Sequence, residues 1–180
     1  MYPPLRLRSL GILVASLLGL AGCSMAVSSY VSPGVRFTQY KTYNWGPADP
    51  FTTGDPRLDN NPFFNDRLRA DVERHLTAKG FEKSAESPDL LIHVHASVSQ
   101  RLDVYELDRL SGYCRDANCQ PHVSDAGTLT LDFVDTRTNT VVWRGWAEGA
   151  VNGVVENQKW MEEKIDEAVT RILERLPARL

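Results

Sequence analysis

The chain has 180 residues, with 20 basic against 23 acidic side chains, a formal charge of −3 and 42% hydrophobic residues. That length makes one domain of ordinary size with a core of its own. The mildly acidic balance argues against nucleic acid as a partner and against electrostatic docking on anionic lipid.

At the N-terminus, Arg6 and Arg8 precede an apolar run from Leu10 to Leu20. The run is shorter than the roughly 20 apolar residues that cross a bilayer. Leu20-Ala21-Gly22-Cys23 ends it with small residues and a cysteine. Basic, apolar and small-residue zones in this order describe a cleaved export signal. The tetrapeptide resembles a bacterial lipobox. The resemblance implies that residues 1–22 are removed and that Cys23 becomes the first mature residue. Cys23 would then carry a thioether diacylglycerol and an N-acyl chain such as palmitate. Three acyl chains anchor stably where a single chain is marginal. Ser24, where some lipoproteins have Asp, implies sorting to the outer membrane of a Gram-negative envelope, with the domain facing the periplasm. Loss of the leader removes Arg6 and Arg8 and no acid, so the mature chain is more acidic still. Residues 23–29 are expected to form the lipidated N-terminus and a tether, the six residues after Cys23 reaching about 20 Å when extended. Residues 30–180 are expected to form a single domain.

Extended segments are predicted around Val27–Val31 and Thr42–Trp45. Pro47 to Pro62 reads as a polar loop, long enough to be either mobile or a contact surface. A helix is predicted from Pro62 to Lys79, capped by Asn61, with Phe64, Leu68, Val72 and Leu76 on one face. Gly80 is placed to end it in a left-handed conformation, with Phe81 packing back on Leu76. Asp89 to Ser99 alternates as a strand. Leu90, Ile92, Val94, Ala96 and Val98 share one face, and Leu91, His93, His95 and Ser97 share a wetter one.

Cys114 and Cys119 follow in a polar stretch. In an exported protein a disulfide between them is the expectation, closing a small loop worth about 2 kcal/mol. Their spacing is not that of a thioredoxin-like pair, and no second cysteine pair completes a zinc site. Gly127 to Val134 reads as a second strand, with Leu129, Leu131 and Phe133 facing inward. Asp135 to Asn139 reads as a turn, and Thr140 to Ala147 as the returning strand with Val141 and Trp143 on one face. A last helix is predicted from Asn157 to Leu176, ended by Pro177. The expected fold class is α+β: an antiparallel sheet with two amphipathic helices packed on one face.

Three groups of residues resemble a known family. They are Phe37 to Pro47, read as Phe-Thr-Gln-Tyr-Lys-Thr-Tyr-Asn-Trp-Gly-Pro; Lys79-Gly80-Phe81 with Pro88-Asp89-Leu90-Leu91-Ile92; and Val134-Asp135 with Val142-Trp143-Arg144-Gly145. In this order they resemble the bacterial lipoproteins carrying the domain of unknown function numbered four thousand one hundred thirty-six. The resemblance implies an envelope lipoprotein of α+β fold. It brings no established activity and no catalytic residues, and the cysteine-bearing stretch lies outside the shared pattern.

Few residues suggest chemistry. His93 and His95 alternate onto one strand face, a geometry able to present two metal ligands. Two imidazoles without a third ligand are equally two polar residues on the wet side of a sheet. His75 and His122 are the other histidines. There is no Gly-x-Ser-x-Gly elbow and no Gly-rich phosphate loop after a strand. The acids Glu162, Glu163, Asp166 and Glu167 read as a solvated helix face. Tyr40, Tyr43, Trp45, Trp143, Trp146 and Trp160 suit either a ligand groove or ordinary packing. The expectation is a non-enzymatic lipoprotein without cofactor, held in the membrane through Cys23, that binds or scaffolds an envelope protein partner. The alternative is a carrier of a small ligand or metal using the His93/His95 face. A hydrolase site assembled from distant residues ranks third.

Overall fold

Alternating apolar residues along three long segments make the middle of a six-stranded sheet. The computed structural model describes residues 25–47, 53–59, 61–102 and 123–178. The elements are β1 (Ala26–Val31), a 3-10 turn at Phe37–Gln39, β2 (Thr42–Trp45), the single-turn helix α1 (Pro56–Asp59), α2 (Pro62–Ala78), β3 (Glu82–Lys83), β4 (Leu90–Leu102), β5 (Val123–Asp135), β6 (Thr140–Ala150) and α3 (Gln158–Glu174). The strand order is β1-β6-β5-β4-β2-β3.

The α+β class holds, but the sheet is mixed rather than purely antiparallel. β1–β6, β6–β5 and β5–β4 are antiparallel, whereas β2 runs parallel to both β4 and β3. The connection explains the difference. A tight turn reverses the chain, as between β5 and β6. After β2 the chain is instead carried back by α2, so the next strands enter in the same direction.

Both long helices pack on one face of this sheet around a single core. Asn61 caps α2 by accepting from the Phe64 amide at 3.3 Å, and Asn157 caps α3 by accepting from the Trp160 amide at 3.1 Å. Gly80 ends α2 at φ 81°, and the Phe81 amide donates to the Leu76 carbonyl at 3.0 Å. That is the predicted Schellman arrangement. The helices run parallel. Arg67 reaches Glu162, Arg74 pairs with Asp166 at 2.5 Å, and His75 Nε2 lies 3.0 Å from Thr170 Oγ1. Pairs that rise together along both helices put both N-termini at the same end of the domain.

Three further expectations need correction. Residues 26–29 belong to β1, hydrogen-bonded along β6, so the sheet takes up most of the expected tether. The Pro47–Pro62 stretch is not simply a polar loop: it contains α1, buries Thr53, Asp55 and Leu58, and is tied to β4 by Val98 donating to the Thr53 carbonyl at 2.8 Å. Residues 48–52 and 60 of it lie outside the described residues. On β6, simple alternation fails at a bulge. Phe133 pairs with Trp143 and Val134 with Val141, so the extra residue, Val142, turns into the core beside Trp143 in place of Val141. Trp143 is fully buried, edge-on to Phe133 with ring centroids 5.0 Å apart.

Candidate functional site

No described helix packs on the opposite face of the sheet, and the strand registers decide which side chains meet there. Tyr30 lies opposite Arg144, Arg144 opposite Asp132, and Asp132 opposite His93. These four residues form one row across β1, β6, β5 and β4. The adjacent row reads Ser28, Trp146, Thr130 and His95. His93 and His95 therefore share a face, as the alternation predicted. The His93 imidazole lies against Gly46, where a Cβ would come within 2.4 Å of the ring.

Asp132 organises the face. Its side chain is only 5% exposed although it points away from the helices. Arg144 covers it, with Nε donating to Oδ1 at 2.6 Å and Nη2 to Oδ2 at 2.5 Å. This bidentate grip holds the guanidinium in the sheet plane's polar row. It also raises the Arg144 pKa above its ordinary value, against the opposing effect of burial. His95 Nε2 stands 3.8 Å from Asp132 Oδ2, beyond hydrogen-bonding length. Asp132 is thus committed to Arg144 and does not orient His95 as a base. Among the described residues no three His, Cys, Asp or Glu side chains gather to hold a metal ion. The face offers donors of fixed position beside half-exposed Tyr30 and partly exposed Trp146.

The residues behind the family resemblance meet elsewhere, in a partly buried polar tie. The Tyr40 hydroxyl donates to Asp135 at 2.9 Å, and the Arg137 and Thr138 amides donate to the same carboxylate at 2.8 and 3.2 Å. Asp89 accepts from the Lys41 and Thr42 amides at 2.7 and 3.0 Å, while its own amide donates to Thr42 Oγ1 at 2.9 Å. Burial raises the Asp135 pKa, but the Tyr40 hydroxyl and the Arg137 and Thr138 donors outweigh it and hold the carboxyl below its ordinary value. Burial likewise raises Tyr40, with Asp135 adding to the shift. These hydrogen bonds join the segment around β2 to the start of β4 and to the β5–β6 turn, so the tie is architectural.

The remaining candidates scatter. His75 is on α2 beside Thr170, on the helix side of the sheet. Tyr40, Tyr43 and Trp143 are core residues. Trp45 packs toward α2, its Nε1 donating to Glu73 at 2.7 Å with Arg69 over its ring. Glu162, Glu163, Asp166 and Glu167 pair with basic residues on the helices, as a solvated face does. Cys23, Cys114, Cys119 and His122 lie outside the described residues. Nothing in the sequence points to Asp132 or Tyr30 as site residues, and Arg144 enters only within the hairpin group of the family resemblance. Alternation marks each as outward-facing, but only the register brings them into one row.

No curated protein matches the chain. Among solved structures it is similar to a PDZ domain protein from Parabacteroides distasonis ATCC 8503, with a TM-score of 0.55 and 16% identity over 85% of this chain and 36% of that one. This chain thus spans about a third of that protein's length, and the likeness is one of fold. PelC dodecamer structures from Paraburkholderia phytofirmans are also similar, at 12% identity over 87% of this chain and 100% of theirs, with TM-scores of 0.49 and 0.47. Residues 27–178 match the family described as "Domain of unknown function (DUF4136)", and with most of its length inside that match the chain belongs to this family.

Proposed function

We propose that the chain is a non-enzymatic lipoprotein of the outer membrane, anchored through Cys23 and facing the periplasm, whose domain binds another envelope component through the open face of its sheet. The observation that carries the binding role is the Tyr30–Arg144–Asp132–His93 row: a buried, neutralised carboxylate that fixes an arginine among exposed polar and aromatic side chains. Such a face has its hydrogen-bonding groups set before a partner arrives, which lowers the cost of association. Cys114 and Cys119 are assigned to a loop disulfide rather than to redox work.

A photoreactive amino acid placed at Tyr30 or Ser97 on the open face tests the binding role in intact cells. Adducts with a discrete envelope protein are expected from these positions and not from Glu174 on the helix layer. Monomer alone, under conditions that capture established envelope complexes, overturns the reading. Lipid labelling that disappears in Cys23→Ser tests the anchor, and labelling that persists refutes it. For the disulfide, a mass unchanged by alkylation until reductant is added is expected.

A further inference from the structure

Among the described residues five large apolar side chains are exposed, and two of them, Phe63 and Trp160, lie in the first turns of α2 and α3. Because the helices run parallel, both rings stand at the same end of the domain. The next residues on each helix, Phe64 and Met161, turn inward and line an apolar cavity of about 90 Å³. Two sheet residues with little or no side chain, Ala147 and Gly149, leave that space open. The Trp160 ring is seated over the loop whose Val151, Val154 and Val155 line the cavity, 3.4 Å from where a Cβ on Gly153 would stand. One end of the molecule therefore combines an exposed aromatic pair with an unfilled apolar interior.

The same end receives the N-terminus. Met25, the first described residue, forms part of the cavity wall and is 8% exposed. Cys23 is two residues before it, a reach of about 7 Å at full extension. We infer that this end of the domain docks directly on the lipid bilayer, with Phe63 and Trp160 inserted at the level of the headgroups. The inference rests on the proposed lipid anchor for its placement and goes beyond it: a tethered domain need not touch the membrane, whereas this one presents an amphipathic indole that settles at a membrane–water interface beside an apolar phenyl ring that can enter it. The anchor supplies a high local concentration of bilayer, so weak apolar contacts suffice. The charges nearby are mostly paired, Arg57 with Asp55 and Glu156, Lys159 with Glu163, and Lys164 with Glu167. Docking is thus apolar in origin and does not need anionic lipid. It leaves the open sheet face free for a partner.

The test uses the full mature protein reconstituted in vesicles of phosphatidylethanolamine and phosphatidylglycerol, some with a nitroxide quencher high on the acyl chain. The Trp160 signal is the difference between the wild type and Trp160→Phe. Acylation of Cys23 is read separately from the mass of the N-terminal peptide. With Cys23 acylated, loss of most of the Trp160 signal to the lipid quencher is expected. An acylated protein whose Trp160 emission ignores the quencher overturns the docking and leaves the anchor standing. If Cys23 carries no lipid, the same protein is mixed with preformed vesicles. Sedimentation with them, reduced roughly fivefold or more by Phe63→Glu with Trp160→Glu, supports docking without an anchor. Absence of sedimentation overturns docking. Shielding of Trp160 from iodide that grows with protein concentration and needs no lipid identifies a second copy as the occupant and also overturns it.

Discussion

Arg144 closes over Asp132 with two parallel hydrogen bonds of 2.6 and 2.5 Å, so a carboxylate 5% exposed sits neutralised on the outer side of the sheet. The two substitutions that break the pair are unequal. Arg144→Ala leaves a buried charge without its partner and is expected to cost about 2 kcal/mol, below the figure for a fully buried pair because half the guanidinium already faces water. Asp132→Asn removes the charge yet keeps an acceptor for the guanidinium, and about 1 kcal/mol is expected. Arg144→Lys should fall nearer the alanine variant, since an ammonium cannot reproduce the fork. Urea midpoints at constant slope give the order. A protein that tolerates Arg144→Ala better than Asp132→Asn contradicts the arrangement.

Asp135 makes stability sensitive to acid. Its folded pKa is held below the ordinary value, near 3.9 for an unfolded aspartate. The stability it contributes is complete above that unfolded value and disappears as the pH falls through the lower, folded one. Asp135→Asn should therefore lower the melting temperature at neutral pH, and the gap from wild type should narrow steadily below about pH 4. Asp89 is shifted in the same direction by its two amide donors despite the opposing effect of burial, so some acid sensitivity remains in the variant. A gap that stays constant down to acid unfolding is inconsistent with a donor-rich Asp135.

His93 is held in its row by a neighbour with no side chain. A Cβ on Gly46 would lie 2.4 to 2.8 Å from three atoms of the imidazole, so Gly46→Ala must push the ring aside at about 1 kcal/mol. In a His93→Ala background the obstruction is gone, and the alanine at position 46 should cost little. The double-mutant cycle is expected to give a coupling of about 1 kcal/mol. Equal costs in both backgrounds would place the imidazole elsewhere.

Those three cases show how unevenly the sequence reveals this molecule. Helices α2 and α3 are readable because each carries its own start signal, Asn61 and Asn157, and a four-residue apolar repeat that needs no distant information. The parallel pairing of β2 is not, since the partner of a short strand depends on how the helix between them travels. Val142 illustrates a smaller loss: a bulge shifts alternation by one residue, and no composition signal announces it. At the open face, His93 and His95 are visible as a pair within one strand. Asp132 and Arg144 join them only through hydrogen-bond register across three strands, which is a tertiary property.

Two glycines on the core side of β6 should respond to alanine with opposite signs. At Gly145 a Cβ would meet Trp143 Cη2 at 2.3 Å and Ile172 Cγ2 at 2.7 Å. Both neighbours are fully buried and cannot yield, so Gly145→Ala is expected to cost on the order of 2 to 3 kcal/mol. Four residues on, Gly149 faces the cavity. A Cβ there would find Met25 Cγ at 3.5 Å, an ordinary contact. Gly149→Ala therefore adds packing to an underfilled wall and restricts the unfolded chain, and a gain of roughly 0.5 to 1 kcal/mol is expected. Denaturant titration of both variants measures the contrast. A destabilising Gly149→Ala would mean that Met25 closes tightly on the strand and that no apolar space remains beneath Phe63 and Trp160.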